Sequence, residues 1–208
     1  MTSHEAFWEG VYGNASPHPG PPHELAVELA DRLEPGSAVL ELGCGWGTDS
    51  LYFAARGHTV TSCDFAPSAL AAFAADAARL GITQRRLDTS QPPYPFATGQ
   101  FDAVYARLSL HYFPLEVTGA IFAEISRLLR QGGVFLSLHN SVRNPESETG
   151  VRLAERYREL APGRRKRYLT TADADLLARP HFREVTSAYV VTADPGEDRT
   201  LVRLAAVR

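Results

Sequence analysis

Apolar positions along this chain change period in a regular way. Between His23 and Leu33, Leu25, Leu29 and Leu33 recur every four residues and predict a helix that Pro35-Gly36 ends. AVLEL at 38–42 reads as a short apolar strand. Thr48 to Arg56 reads as a helix closed by Gly57, and HTVTSCD at 58–64 as a second strand. Pro67 opens a further helix, which the Ala-rich run carries to Leu80 and Gly81 stops. A third strand is predicted at 83–87 and a fourth at 101–108, FDAVYARL, with QPPYP as a loop between them. An amphipathic helix at 115–130 gathers Ile121, Phe122, Ile125, Leu128 and Leu129 on one face, with Gly132-Gly133 as its cap. VFLSLH at 134–139 is the fifth strand.

Strands alternating with helices imply right-handed crossovers and a parallel sheet covered on both faces, an α/β doubly wound, Rossmann-like class. The two ends of the chain read differently. Residues 1–22 form an arm with Phe7, Trp8 and Tyr12, followed by the breaker PHPGPP at 17–22. Residues 140–180 are a variable segment with one or two helices. REVTSAYVVTA and TLVRLAAVR, separated by DPGED, predict an antiparallel strand pair.

A length of 208 residues suits one domain able to bury a sizeable core. Hydrophobic residues make up 44% and charged ones 22%, a globular balance that excludes bulk disorder. The net charge of −3 gives no electrostatic footprint for nucleic acid. No apolar run approaches the ~18 residues of a membrane span. MTSHEAFWEG lacks the basic-then-apolar order of a signal peptide. Cys44 and Cys63 make no disulfide framework. By elimination, a cytoplasmic location is expected.

The candidate chemistry begins where the first strand ends. Gly43-Cys44-Gly45-Trp46-Gly47 lies between that strand and a helix, at the edge where doubly wound sheets bind ligands. Asp64 ends the next strand, about 20 residues on, where an acid grips ribose hydroxyls. Asp88 ends the third strand and is placed for an adenine amino group, or is a turn residue. With Glu41, an acid thus stands at the end of three successive strands. A nicotinamide dinucleotide needs G-x-G-x-x-G around a pyrophosphate. Here the third glycine is Gly47, and Asp49 would repel a pyrophosphate.

In this order, ELGCGWGTDS, CDFAPSAL, LDTSQPPYPF, FDAVYARLSLHYF and LLRQGGVFLSLH resemble the successive motifs of class I S-adenosylmethionine-dependent methyltransferases. The resemblance covers roughly residues 36–140. Within the class it is nearest to small-molecule methyltransferases, including the tellurite-resistance and thiopurine-type branch. It implies a seven-stranded, mostly parallel sheet whose last strand runs antiparallel. It also implies roles. Glu41 orients the loop and the methionine amino end, and Gly43 and Gly45 pass close to the cofactor. Asp64 holds the ribose and Phe65 packs on adenine. Asp88 meets the adenine amino group, with Thr89 adjacent. The backbone near Ala106 and Arg107 meets the methionine amino group. Tyr12 resembles an N-terminal aromatic that closes over the methionyl end.

Gln91-Pro92-Pro93-Tyr94 looks like the motif of amino-methylating DNA enzymes, but it precedes the fourth strand rather than following it, so it reads as a turn. Methyl transfer from a sulfonium is an in-line displacement in which near-attack placement supplies most of the rate. A base is needed only if the nucleophile must lose a proton early. His111 and His139 follow the fourth and fifth strands, so both are candidate bases on the site rim. Trp46, Tyr112 and Phe113 either wall the methyl site or belong to the core. Arg164-Arg165-Lys166-Arg167 reads as a solvated face, with a clamp for an acidic substrate as its alternative. No H-x-E or C-x-x-C pattern suggests a metal. Cys44 and Cys63 read as small buried residues, Cys44 with some sensitivity to oxidation.

The sequence therefore leads to a single methyltransferase domain over 1–208. Residues 1–34 would form a lid, 36–140 the cofactor core, 141–180 a substrate cover and 181–208 the final strand pair. The expected reaction is methyl transfer from S-adenosylmethionine to a small molecule, by a monomer or homodimer, with no nucleic-acid or membrane partner. The alternatives are a cofactor-binding regulator or inactive partner, and a methyltransferase acting on a protein or peptide.

Overall fold

A computed structural model describes residues 3–14, 20–194 and 197–208. Part of the PHPGPP breaker and Pro195-Gly196 of the DPGED turn lie outside the described residues. The first half of the chain gives α1 (Ser3–Asn14), α2 (Glu24–Ala30), β1 (Ala38–Leu42), α3 (Thr48–Ala55), β2 (Thr59–Asp64), α4 (Pro67–Ala72), α5 (Ala74–Arg79) and β3 (Thr83–Arg86). There follow β4 (Phe101–Arg107), α6 (Leu115–Leu128), β5 (Leu129–Asn140), a 3-10 turn (Pro145–Glu148), β6 (Val151–Ala154), β7 (Tyr157–Ala161) and β8 (Arg164–Arg167). The chain ends with α7 (Thr171–Ala178), β9 (Glu184–Asp194) and β10 (Glu197–Val207).

Seven strands form one sheet in the order β3-β2-β1-β4-β5-β10-β9. β1 pairs in parallel with both β2 and β4, whereas β10 runs antiparallel to β5 and β9. The chain winds outward from β1 to β3, then crosses back to β4, so the switch point lies between β1 and β4. Both faces of the sheet are buried, which is why its strands read as continuous apolar runs. Leu40, Val104 and Phe135 meet Ile121, Phe122 and Ile125 of α6 on one face. Val39, Tyr105 and Leu138 meet Leu25 and Leu29 of α2 and Phe53 of α3 on the other.

Two local expectations are corrected and two are made specific. The Ala-rich helix is not continuous, because Phe73 leaves helical geometry between α4 and α5 (φ −128°, ψ 20°). Its ring turns inward over the glycine loop, where a Cβ on Gly47 would lie 2.5 Å from it. Gly132-Gly133 does not cap α6. The helix passes straight into β5, and the two glycines lie inside that strand, where its register with β4 shifts. Gly133 has no room for a side chain, since an added Cβ would stand 2.9 Å from the Arg130 carbonyl oxygen. The segment after Asn140 holds one regular α-helix, α7, together with an antiparallel sheet β6-β7-β8. Finally, the arm is helical over Ser3–Asn14: His4, Trp8, Val11 and Tyr12, at helix-face spacing, turn to one side of α1.

The basic run is also not a solvated face. It forms β8, and Lys166 and Arg167 are buried. Arg167 donates from Nε to the Phe113 carbonyl at 3.0 Å, and its amide donates to the His111 carbonyl at 2.6 Å. β8 thereby fixes the loop that follows β4.

Candidate active site

The glycine loop follows β1 at the switch point. The amides of Gly43 and Cys44 both donate to the Cys63 carbonyl, at 2.8 and 2.9 Å, which folds the loop back over β2. Gly43 (φ 72°) lies so close to Ser109 that an added Cβ would collide with its side chain. Ser109 is aimed there by Leu108, a non-glycine residue held at φ 53°, and its hydroxyl donates to the Leu42 carbonyl at 2.6 Å. The ends of β1 and β4 are thus stitched together, leaving an open backbone surface beside them.

Three carboxyl groups lie under this surface. Asp64 accepts the Gly45 amide on Oδ2 and the Ala66 amide on Oδ1, both at 3.0 Å. Burial pushes its carboxyl up, and these backbone donors oppose the shift. Each oxygen keeps acceptor capacity for a hydroxyl. Glu41 is 3% exposed and accepts from the Ser50 hydroxyl, which lies 2.5 Å from the Ser62 hydroxyl. Burial, then the neighbouring Asp49 charge, pushes Glu41 up to about 8. Asp49 accepts the His23 amide at 2.8 Å on one oxygen. Its other oxygen accepts the Tyr105 hydroxyl at 2.8 Å and Arg107 Nε at 3.2 Å. Burial works against the Arg107 charge, but Asp49, Tyr105 and Glu41 together offset this and raise it.

The cleft above has a volume of about 700 Å³. α1 roofs it. The Tyr12 hydroxyl lies over the loop, 2.9 Å from where a Cβ on Gly45 (φ 52°) would stand. Trp8 meets Tyr112 edge-on at 5.1 Å, Tyr12 meets Trp46 at 5.7 Å, and His4 stacks on Phe65 at 5.5 Å. His4 also donates from Nδ1 to the Gly163 carbonyl at 3.1 Å, in the turn between β7 and β8. Trp46, Tyr112 and Phe113 all line the cleft.

Of the residues named from sequence, Tyr12, Glu41, Gly43 and Gly45 line this cleft, as do Asp64, Phe65, Thr89 and Arg107. Asp88 does not: it is exposed, and its Oδ1 accepts the amide and hydroxyl of Ser90 at 2.9 and 2.7 Å. That is turn geometry. Ala106 is wholly buried in the core, and from β4 onward the cleft wall is Arg107, Leu108 and Ser109. QPPY is a turn outside the cleft lining, with the Tyr94 hydroxyl donating to the Thr89 carbonyl at 2.6 Å.

The two histidines are not rim groups. His111 and His139 are 1% and 0% exposed, and neither lines the cleft. Burial pushes His139 down to about 4, with Nε2 lying 2.8 Å from the Ser137 hydroxyl. Burial, then His139 and Lys166, pushes His111 well below the usual range. The alternation of β5 turns His139 onto Phe122 in the layer under α6 rather than out of the strand end. Among the cleft residues not named as site residues from sequence are His4, Trp8 and Arg199. His4 and Trp8 carried a helix-face spacing that could have been read. Arg199, near the start of β10, also lines the cleft and had no local signal.

Comparison with known proteins agrees with this geometry. Residues 39–133 match the family model described as a methyltransferase domain. An uncharacterized methyltransferase of Synechocystis sp. is 33% identical over 115 residues, covering 54% of this chain and 51% of that protein. The 2-heptyl-1-hydroxyquinolin-4(1H)-one methyltransferase of Mycobacteroides abscessus is 28% identical over 120 residues, covering 57% and 53%. The chain spans about half the length of the curated relatives it matches. Among solved structures, the 1,6-didemethyltoxoflavin-N1-methyltransferase of Burkholderia thailandensis superposes with a TM-score of 0.69 at 23% identity, over 89% of this chain and 77% of that one. Over residues 39–133 the chain is thus similar to a methyltransferase domain, and its fold is that of the solved methyltransferase structures. Among the described residues, no helix is long and apolar enough to cross a membrane, and no group of three or more His, Cys, Asp or Glu is placed to hold a metal ion.

Proposed function

We propose that this chain transfers a methyl group from S-adenosylmethionine to a small-molecule acceptor, leaving S-adenosylhomocysteine. The observation that carries the reading is the pairing of an open glycine loop with buried acids under one aromatic roof. The cofactor supplies a methyl carbon already activated on a sulfonium. The residues present suit it. The backbone at Gly43 and Gly45 allows close approach, Asp64 has acceptor capacity for ribose hydroxyls, and Phe65 and Thr89 border a place for the adenine. Asp49 puts negative charge beside the ammonium and sulfonium groups, the protonated Glu41 would ionise as the cationic cofactor enters, and Arg107 offers a fork for the carboxylate.

The protein's part is placement and exclusion of water. α1 covers the loop, and the β7–β8 turn meets α1 through His4, so donor and acceptor would be enclosed together. Two further observations favour a small molecule over a macromolecule. The cleft is covered, and two similar proteins with named acceptors act on 2-heptyl-1-hydroxyquinolin-4(1H)-one and 1,6-didemethyltoxoflavin. Asp88 is assigned to the adenine edge only if its Ser90 turn opens.

Calorimetry with S-adenosylmethionine and S-adenosylhomocysteine tests the first half. Both are expected to bind one per chain with micromolar affinity, and failure of both to bind overturns the reading. Incubation with methyl-labelled cofactor and an extract of small metabolites tests the second half through a labelled product below about 1 kDa.

A further inference from the structure

α1 brings one imidazole into the roof of the cleft. His4 is half-buried and lines the cleft with Trp8, Tyr112 and Phe113. Rings hold it in place. It stacks on Phe65 at 5.5 Å with 13° between the planes, and it meets Tyr112 at 5.7 Å and Phe113 at 6.2 Å. Its Nδ1 lies 3.1 Å from the Gly163 carbonyl oxygen, in the turn between β7 and β8.

That contact fixes the tautomer. A carbonyl oxygen only accepts, so Nδ1 carries the hydrogen, and the neutral ring keeps its lone pair on Nε2. Nε2 lies across the ring from Gly163, and among the described residues it has no hydrogen-bond partner. The charged and titratable groups around it have other tasks. Tyr112, which faces the ring from the loop after β4, is kept protonated by burial. Asp64, beside Phe65, accepts the Gly45 and Ala66 amides. Arg164, beside Gly163, is paired with Glu146 at 2.7 Å. On α1 itself, Glu5 reaches Arg86 at 3.9 Å. His111 and His139 lie outside the cleft lining.

We infer that His4 is the proton acceptor of the reaction, and that the compound methylated is a flat aromatic whose hydroxyl or ring N–H gives up its proton. This rests on the methyl-transfer reading above and deepens it. The faces of Trp8, Tyr112 and Phe113 suit a flat ring system beside the imidazole. The O–H or N–H donates to Nε2. A lone pair on that oxygen or nitrogen forms the new bond to the methyl carbon, the carbon–sulfur bond breaks, and its electron pair remains on sulfur. The acceptor's proton moves to Nε2, while Nδ1 keeps its hydrogen on the Gly163 carbonyl, which supports the imidazolium. That proton passes to water as the products leave. A cationic cofactor and a neutral acceptor thus give two neutral products and one released proton.

The test uses the full chain saturated with S-adenosylhomocysteine and the probe 4-nitrophenol, whose anion is read by its visible absorbance. At pH 6 the parent is expected to bind one probe per chain, with the bound probe ionised at least about threefold beyond the free dye, because an imidazolium beside it favours the anion. His4→Gln keeps an amide N–H for the Gly163 carbonyl and has no basic nitrogen. It is expected still to bind S-adenosylhomocysteine, which reports a folded cleft, and to lose the extra ionisation. A role confined to holding the roof would leave that ionisation in place. Nitrogen-15 NMR of the parent is expected to show neutral His4 with its hydrogen on Nδ1. No binding of the probe, a bound probe no more ionised than the free dye, ionisation that survives His4→Gln, or a hydrogen on Nε2 in neutral His4 overturns the inference. Loss of S-adenosylhomocysteine binding by the parent chain overturns the methyl-transfer reading instead.

Discussion

Asp49 holds Arg107 across the switch point. Its Oδ2 accepts Arg107 Nε at 3.2 Å and the Tyr105 hydroxyl at 2.8 Å, while Oδ1 takes the His23 amide from the start of α2. One buried side chain thus joins α2, α3 and β4 under the cleft. Asp49→Ala leaves three donors without their acceptor. Chemical denaturation is expected to show a loss of about 2–4 kcal/mol. A loss under about 0.5 kcal/mol would mean that these bonds are replaced by water at no cost.

Asp64 already accepts two loop amides, so it supports the loop as well as facing the cleft. Asp64→Ala is expected to weaken S-adenosylmethionine binding ten- to a hundredfold, equivalent to ~1.5–3 kcal/mol of charge-assisted bonding. Unchanged affinity by calorimetry would remove Asp64 from the ribose site.

Glu41 gives a pH dependence with a definite sign. Its folded value, about 8, lies above the ordinary 4.5, so the native state holds a proton that the unfolded chain releases. Stability contributed by this group therefore falls as pH rises from 4.5 to about 8. A cationic cofactor favours the ionised carboxyl, so S-adenosylmethionine affinity is expected to rise over the same range. Glu41→Gln is expected to flatten both curves, checked by urea titrations and calorimetry at pH 6, 7 and 8. A cofactor affinity that keeps its pH slope in Glu41→Gln counts against this role.

His139 acts in the opposite direction. Its folded value of about 4 lies below the ordinary 6.5, so its contribution is complete above 6.5 and is lost as pH falls towards 4. His139→Phe is expected to lessen acid destabilisation in that window and to leave S-adenosylmethionine affinity within about twofold. A large change in cofactor affinity would place His139 at the cleft after all.

Trp8 is the centre of the roof, touching Tyr112 and Tyr12 at 5.1 and 5.9 Å. Trp8→Ala is expected to raise the cofactor Kd about tenfold, from the loss of ring packing across the cleft, with little change in overall unfolding. Wild-type affinity in stopped-flow and equilibrium binding would show that α1 is not a lid.

The strand–helix alternation and the glycine loop were legible because they are local. Period, caps and the spacing from Gly43 to Asp64 follow from neighbours in the chain. What was not legible depends on contacts between distant segments. Phe73 breaks a good helical run because its ring is needed over Gly47. Lys166 and Arg167 read as surface, yet Glu146 and the Phe113 carbonyl receive them in the interior. His139 was placed by its position at a strand end, whereas the alternation of β5 turned it under α6. Arg199 enters the cleft only because β10 inserts beside β5, a pairing that no spacing near residue 199 announces.

The bond from His4 to the Gly163 carbonyl joins a helix at the start of the chain to a hairpin more than 150 residues later. The helix roofs the cleft, and the hairpin is tied to that roof. A roof made of two pieces that touch cannot lift over one reactant without loosening over the other. Donor and acceptor then share a single doorway, and the compound bound deeper must be the first to arrive and the last to leave. Turnover would follow an ordered sequence, which product-inhibition patterns make visible without any knowledge of the chemistry inside.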